Sequence, residues 1–236
     1  MAAAVDLPRR AAAEAIGTAL LLATVVGSGI MGENLSGGNV AIALLANTIA
    51  TGAGLVALIL TFGPISGAHF NPAVTLADAS QRGLAWRDVP VYIAAQIVGA
   101  FGGVAAANVM FDKPVFFAST HARSGTSQLF AEFVATFGLL AVIWGCARRR
   151  AGAVPFAVGA YITAAYWFTS STSFANPAVT LARSASNTFA GIRLVDAPAF
   201  IAAQLAGAIV ATLLFRWLVP ITPAVAERVV DREEVA

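Results

Sequence analysis

Charged residues are scarce in this chain of 236 residues: they make up 11% of the sequence, against 58% for hydrophobic residues. The surface of a protein dissolved in water needs roughly a quarter or more of charged residues, so this composition excludes an ordinary soluble domain. Cysteine is rarer still. The one present, Cys146, excludes an intrachain disulfide and any metal site built from several cysteines. The shortage of charge points to a protein that lies in lipid.

Long apolar runs support that interpretation, because crossing a bilayer core takes about 20 mostly apolar residues in a helix. Six stretches predict membrane-spanning helices, at about 11–32, 39–62, 89–110, 128–147, 154–170 and 197–219. We therefore expect an all-α integral membrane protein, with abundant Gly and Ala allowing its helices to pack closely. A cleaved secretory signal is the alternative for the first stretch, but that stretch contains Glu14 and five more follow it.

The few positive charges are unevenly divided between alternate loops. Ten of the 14 Lys and Arg residues precede the first stretch, separate the second from the third, follow the fourth, or lie at or beyond the end of the sixth. The remaining four are Lys113, Arg123, Arg183 and Arg193. Cytoplasmic loops carry the excess of positive charge, so we expect both termini in the cytoplasm.

The chain contains two related halves. Three phrases recur in the same order at similar offsets: Ala-Glu at 13–14 and 131–132, NPAVTLA at 71–77 and 176–182, and Ala-Ala-Gln at 94–96 and 202–204. We predict a single membrane channel domain over 1–236, with repeat one at about 10–110, a linker loop at about 111–127, repeat two at about 128–220 and a cytoplasmic C-terminal tail at about 221–236. Each half has three spans, so the second half enters from the opposite face, which places a functional site near the midplane.

Each copy of NPAVTLA predicts the start of a short helix. Asn is a strong helix N-cap, and Pro is favoured at the first helical position. From Asn71 or Asn176 only about nine residues pass before a polar stretch, enough to cross about half of the hydrocarbon core. The preceding segments PISGAHF and TSSTSFA suit irregular backbone, which survives at membrane depth only when it is buried in protein or lines a water-filled cavity.

Two short helices that enter from opposite faces would meet by their N-termini. Each N-terminus carries about half a positive charge, so a path between them would be hostile to protons and cations and permissive to neutral solutes. If the side-chain carbonyls of Asn71 and Asn176 cap their own helices, we expect their NH₂ groups to be free to donate into the path. The alternative is that both Asn residues are only caps.

These motifs resemble the aquaporin–glycerol facilitator (major intrinsic protein) family. The resemblance rests on two Asn-Pro-Ala boxes, on SGAHFNPAVTLA after the second span, on Ala-Glu near the start of each half, and on AAQxxGA in the third and sixth spans. It implies an inverted repeat of six transmembrane helices plus two re-entrant half-helices, a pore within each protomer and a homotetramer. It also implies paired pore motifs, formed by Asn71, Pro72, Ala73, Asn176, Pro177 and Ala178. The two Asn residues would orient passing molecules and break the file along which protons hop.

The chain departs from the family at its selectivity filter. Most members have an Arg directly after the second box, and here that position is Val179. Family spacing places two further filter positions at Thr51 and Ser173. The fourth, on the fifth span, is either Ala164 or Tyr166, with Tyr166 favoured. This ring is smaller and less charged than one with Arg, which predicts passage of larger neutral polyols or acids.

Arg183 lies four residues beyond Val179 and has two interpretations. It either sits over the vestibule, about 6 Å farther outward, and partly replaces the missing charge, or it extends to the outer membrane interface. The surrounding string STSFANPAVTLARSASNTFAGIR also resembles a bacterial branch of the family associated with arsenic-resistance gene clusters. That resemblance implies a channel for arsenite and methylated arsenicals in a bacterial-type inner (plasma) membrane.

Two acids, Glu14 and Glu132, lie inside predicted spans, and an intramembrane acid is a functional hypothesis by default. A proton relay would make the protein a secondary transporter. In the alternative, which their symmetric placement favours, each Glu accepts hydrogen bonds from the irregular loop before a half-helix. We expect His69 to pack that loop in the first half.

The functional expectation is a passive channel for small neutral solutes, namely water, glycerol-like polyols and arsenicals. The alternative is a coupled secondary transporter or an ion channel of similar inverted architecture. No spacing suggests a metal site, a nucleophile triad or a phosphate loop. We therefore expect no enzyme activity, no cofactor, no metal site and no nucleic-acid partner.

Overall fold

The computed structural model describes residues 5–219 of an all-helical bundle. In chain order the helices are α1 (Leu7–Leu35), α2 (Val40–Ser66), α3 (Pro72–Ser80), α4 (Val89–Met110), α5 (Thr126–Ala147), α6 (Val154–Phe168), α7 (Pro177–Arg183) and α8 (Ala197–Leu218). Short 3₁₀ turns, Ala151–Ala153 and Leu194–Asp196, lead into α6 and α8. The predicted tail at about 221–236 lies outside the described residues.

Six of these helices, counting α6 with its 3₁₀ turn, are long and apolar enough to cross a membrane. All six predicted spans are confirmed, with bounds that shift by only a few residues. The helices begin where local chemistry allows: Asp6 accepts the N–H of Arg9 to start α1, and Asn39 accepts two N–H groups to start α2. The α1 face, at which α1 begins, also holds the ends of α2 and α5.

The two remaining helices, α3 and α7, are too short to span. They contain nine and seven residues, and each begins at the Pro of an Asn-Pro-Ala box. The Asn before each Pro is the N-cap, with extended backbone and a side chain that accepts N–H groups of the first turn. The C-terminus of α3 points to the α1 face and that of α7 to the opposite face, as the inverted repeat requires.

Close contact between α1 and α4 depends on two glycines one helical turn apart. A methyl group on Gly99 would lie 2.1 Å from the carbonyl oxygen of Ala15, and one on Gly103 would lie 2.1 Å from that of Ala19. Such separations are far inside van der Waals contact, so only glycine fits. In lipid, where no hydrophobic effect drives helices together, this close approach supplies the packing energy.

The outer surface of the bundle is apolar. Large aliphatic side chains on three helices are largely exposed, among them Ile16 at 52%, Val98 at 70% and Ile209 at 60%. Monomeric soluble proteins rarely expose so extensive an apolar surface to water. A bilayer accommodates it, and the chain is an integral multi-pass membrane protein.

Gly103→Ala is expected to destabilise the bundle by about 1–3 kcal/mol, because the added methyl forces α1 and α4 apart. The matched control is the adjacent Gly102→Ala, whose methyl meets no atom within 4 Å. Thermal unfolding of the detergent-solubilised protein measures the difference. Equal melting temperatures for the two variants would contradict this account of the α1–α4 contact.

Candidate functional site

The Asn of each Asn-Pro-Ala box is hydrogen-bonded to the residue that directly precedes the other box. The side-chain NH₂ of Asn71 donates to the carbonyl of Ala175 at 2.7 Å, and that of Asn176 donates to the carbonyl of Phe70 at 2.7 Å. Each Asn thus caps its own helix with its oxygen and bonds the loop of the other half with its nitrogen. The expectation of entirely free NH₂ groups needs correction: one N–H of each is used in this reciprocal pair, which leaves one for the path.

The loop before each Asn has the same unusual backbone. Ala68 and Phe70 have positive φ angles of 50° each, and Ser173 and Ala175 have φ angles of 52° and 47°. These are the third and first residues before the Asn in both halves. A non-glycine residue in this left-handed region costs about 1–3 kcal/mol, so four of them persist only where the surrounding structure holds them.

Glu14 holds the first loop. Its carboxylate accepts the backbone N–H groups of His69 at 2.9 Å and Phe70 at 2.7 Å. It also accepts the hydroxyl of Ser66 at 2.7 Å and the amide of Gln96 at 2.8 Å. The side chain is fully buried, and its four donors offset the cost of placing an acid inside the bundle.

Glu132 holds the second loop in the same way. It accepts the N–H groups of Phe174 at 2.8 Å and Ala175 at 2.9 Å, and the amide of Gln204 at 2.6 Å. Like its counterpart it is fully buried. Neither carboxylate belongs to the cavity wall formed by the described residues. This placement agrees with the interpretation that each Glu holds a loop. A proton relay would need these carboxylates to contact the path.

The same two glutamines reach the half-helices. Gln96 donates to the hydroxyl of Thr75 at 2.9 Å, and Gln204 donates to that of Thr180 at 2.8 Å. Each glutamine therefore joins a buried Glu to one half-helix, and the two halves use the same connection. Loop, half-helix and spanning helix are held as one unit in each repeat.

A cavity of about 470 Å³ runs beside these units. Both Asn71 and Asn176 line it, and its wall continues from Arg10 and Asp78 toward the α1 face to Arg183 toward the opposite face. Branched apolar side chains provide much of the remaining wall, including Val25, Leu55, Val74, Leu139, Val158 and Ile162. Such a wall binds water and solutes weakly, while the paired Asn residues offer hydrogen bonds at its middle.

The residues predicted for the filter meet on this cavity. Thr51, Tyr166, Ser173 and Val179 all line it, and the hydroxyls of Thr51 and Tyr166 lie 3.3 Å apart. Ala164, the other choice for the fifth span, is on the exposed side of α6. The structure thus places Tyr166 against the path. The hydroxyl of Ser173 is buried without a protein partner among residues 5–219.

His69 does more than pack a loop, because its side chain also lines the cavity. Its Nε2 lies 3.6 Å from a carboxylate oxygen of Asp78, and its Nδ1 lies 3.2 Å from the hydroxyl of Thr75. Gly83 makes room for Asp78, since a methyl group there would lie 2.2 Å from the carboxylate. His69 therefore belongs to the cavity wall near the α1 face as well as to the loop before α3.

The side chain of Arg183 is buried inside the bundle. It is 2% exposed, its Nε donates to the carbonyl of Ala190, and it lines the cavity beyond Val179. The vestibule interpretation of this residue therefore fits the geometry. The guanidinium of an arginine stays protonated at neutral pH even when it is buried, so Arg183 brings a positive charge to the cavity.

Arg123, from the linker loop, is a residue that the sequence motifs do not reveal. Its guanidinium donates to backbone carbonyls of Gly191 at 2.8 Å and Ser171 at 3.1 Å. Burial lowers its pKa to about 10, so it too stays charged at neutral pH. The one hint in the sequence is that positive charges are rare in the loops of the opposite face.

The linker loop covers the second half at the face opposite the α1 face. Phe117 and Ser119 donate backbone N–H groups to Ala185 and Ser184 at 3.0 and 2.9 Å, directly beyond α7. The carbonyl of His121 accepts the N–H of Arg193 at 2.9 Å. These backbone contacts place Arg123 over the loop that precedes α7.

Comparison with known proteins agrees with this geometry. The sequence model of the family described as Major intrinsic protein matches residues 1–171 and 149–234. Aquaglyceroporin AqpS of Rhizobium meliloti (strain 1021) is 56% identical over 213 residues, which cover 90% of this chain and 91% of that protein. Aquaporin NIP6-1 of Arabidopsis thaliana is 35% identical over 162 residues, which cover 67% of this chain and 52% of the relative.

A solved structure shares the fold. The X-ray structure of the aquaglyceroporin from Plasmodium falciparum superposes with a TM-score of 0.71. The match covers 94% of this chain and 99% of that one, at 20% sequence identity. At this identity the likeness concerns architecture alone, and it confirms the bundle of six spans and two half-helices.

Glu132→Gln is expected to lower stability by about 1–3 kcal/mol and to reduce solute flux, because an amide presents NH₂ where the loop requires an acceptor. Glu33→Gln, the same change at an exposed position of α1, is the matched control. Thermal unfolding and vesicle flux measure both effects. A proton relay at Glu132 predicts the opposite pattern, with normal stability and altered dependence on a proton gradient.

Proposed function

The chain belongs to the major intrinsic protein family, whose members are channels and not enzymes, and we propose that it conducts water and small neutral polyols passively through the cavity between its half-helices. The observation that carries the proposal is that three hydroxyl-bearing side chains and one aliphatic one line the same cavity: Thr51, Tyr166, Ser173 and Val179. The names of its bacterial relative and of its structural neighbour, both aquaglyceroporins, point to the same solutes.

The proposed filter suits a polyol, which has hydroxyls on one side and carbon on the other. Thr51, Tyr166 and Ser173 present hydroxyls that both donate and accept hydrogen bonds. Val179 presents methyl groups to the carbon side. Without an Arg at this position the ring loses both bulk and charge, so solutes larger than water meet a lower barrier.

The paired Asn residues are proposed to orient each passing molecule. Each of Asn71 and Asn176 keeps one N–H that is not used in the reciprocal pair, and both side chains line the cavity. A molecule that accepts from both must turn its oxygen toward the midplane. Water oriented in this way cannot relay protons along a continuous file, so we expect solute flux without proton flux.

Arsenious acid and methylated arsenicals are the proposed further solutes. Arsenious acid is neutral at pH 7 and displays hydroxyls as a small polyol does. Methylated pentavalent species are bulkier and partly anionic, so they require a ring without a narrow charged clamp. The methyl groups of Val179 and the hydroxyl of Ser173, on one cavity wall, fit both parts of such a molecule.

We also propose the cellular arrangement that the sequence favours. The α1 face, which carries most of the positive charge, would be cytoplasmic, in a bacterial-type inner membrane. The exposed apolar side chains on the spans would contact lipid and three further copies in a homotetramer. The two repeats, at about 10–110 and 128–220, would form one channel domain joined by the linker at about 111–127.

A stopped-flow panel on vesicles tests the proposed function. We expect the purified protein to speed the entry of water, glycerol, arsenious acid and methylarsenate above protein-free vesicles, with rates proportional to the solute gradient. Flux that saturates and depends on a proton gradient would show a coupled transporter instead. Water flux alone would limit the protein to water.

Val179→Arg is expected to reduce glycerol and arsenious acid flux by about tenfold or more, which corresponds to about 1.4 kcal/mol added to the barrier. Water flux should change far less, because water still fits beside a guanidinium. Val179→Leu adds bulk without charge and separates the two causes. Unchanged glycerol flux in Val179→Arg would show that this ring does not limit permeation.

A further inference from the structure

Two buried guanidinium groups lie toward the outer end of the cavity without an acidic partner. Arg123 is 7% exposed and Arg183 is 2% exposed. Among residues 5–219, no carboxylate oxygen lies within 4.0 Å of either guanidinium. Burying a charge costs several kcal/mol unless something else offsets it, so the question is what each guanidinium binds.

The guanidinium of Arg123 binds backbone carbonyls of the protein itself. Its Nε donates to the carbonyl of Gly191 at 2.8 Å, and its Nη groups reach the carbonyls of Ser171 at 3.1 Å and Phe189 at 3.5 Å. The hydroxyl of Thr172 lies 3.4 Å away. Its donors are used to hold the loops on either side of α7, so Arg123 is a positioning residue.

Arg183 differs from Arg123, because only the Nε of its guanidinium donates a hydrogen bond to the described part of the protein. That nitrogen donates to the carbonyl of Ala190, and neither Nη has a protein acceptor in the described part of the chain. The guanidinium carbon lies 3.4 Å from the centroid of the Phe174 ring, which lines the cavity as well. Stacking on an aromatic face fixes the plane of a guanidinium and leaves its edge available.

Ser173 adds a second unused donor at the same end of the cavity. Its hydroxyl oxygen is buried, lacks a protein partner among the described residues, and belongs to a side chain that lines the cavity. Ser173 directly precedes Phe174, the ring on which Arg183 stacks. The two Nη groups of Arg183 and the hydroxyl of Ser173 therefore belong to side chains that line the same cavity, and no carboxylate of the described residues is paired with them.

A ligand for this part of the cavity must supply acceptors and negative charge. A planar guanidinium edge binds two oxygens of one oxyanion at once, and such charge-assisted bonds are about twice as strong as neutral ones. A divalent anion would have to lose more hydration than one guanidinium replaces, which favours a single negative charge. The size of the cavity restricts the ligand to a small molecule.

We infer that Arg183 and Ser173 form an oxyanion-binding subsite in the outer part of the pore, which takes small monoanionic oxyacids. The subsite lies one helical turn outward of Val179, so a bound anion stands in the path of solutes that approach the ring. The inference rests on the proposed function, since it treats this cavity as the pore. Small oxyanions then compete with glycerol for passage.

Methylphosphonate is a suitable probe, because it is small and does not cross lipid readily. Calorimetry on the detergent-solubilised full chain should show one binding event per protomer. In vesicles, external methylphosphonate should slow glycerol entry in a saturable manner. Arg183→Gln should weaken both effects by about tenfold or more, as expected for loss of charge-assisted hydrogen bonds.

Three further variants make the test specific. Ser173→Ala removes a hydroxyl that has no protein partner and should weaken methylphosphonate binding about threefold to tenfold without disturbing the fold. Arg183→Lys retains charge without the planar edge, so binding should be intermediate. Lys113→Gln removes a positive charge from a loop of the same face, outside the cavity wall, and should bind as the unaltered chain does.

The possible outcomes separate the two proposals. Glycerol flux that methylphosphonate does not slow, together with no heat of binding, overturns the subsite and leaves the channel standing. Equal loss of binding in Lys113→Gln and Arg183→Gln also overturns it, because the effect would then be general surface charge. Absence of glycerol flux refutes the proposed function, while calorimetry still decides whether the oxyanion binds.

Discussion

The structure depends on the reciprocal bonds by which the Asn of each Asn-Pro-Ala box holds the loop before the other box. Asn71 bonds the carbonyl of Ala175, and Asn176 bonds the carbonyl of Phe70. At this depth no bulk water satisfies an exposed backbone group, so a broken helix is tolerated only if protein or a wet cavity supplies partners. The pairing supplies them, and it fixes the two half-helices end to end with their N-termini on the cavity.

That arrangement requires strained loops, and the buried acids hold them. Four non-glycine residues with positive φ would relax if the loops were free. Glu14 and Glu132 each accept two successive backbone N–H groups of a loop, and a glutamine joins each acid to the neighbouring half-helix. Intramembrane acids usually suggest ion or proton transport. Here their oxygens are occupied by the protein and lie away from the cavity wall.

The sequence predicted most of this architecture because the signals were local or repeated. The length of the apolar stretches predicted the spans, and an Asn-Pro pair after a segment of small and polar residues predicted each half-helix. The choice of Tyr166 over Ala164 as the cavity residue of the fifth span required the structure. Residues two apart on a helix point to different faces, and the length of the adjoining loop was ambiguous. The placement of Arg123 could not be predicted, since its partners lie far along the chain in loops without periodicity. The burial of Arg183 likewise depends on the loop that follows α7, whose Ala190 accepts its Nε, and no motif describes that loop.

Together these features support the proposed path for neutral molecules that excludes protons. Its most direct test measures proton and glycerol permeability in the same vesicles, with a pH-sensitive dye trapped inside and light scattering recorded together. The account predicts that glycerol entry rises with the amount of protein, while the internal pH changes no faster than in protein-free vesicles. A proton leak that rises in proportion to glycerol entry would contradict it.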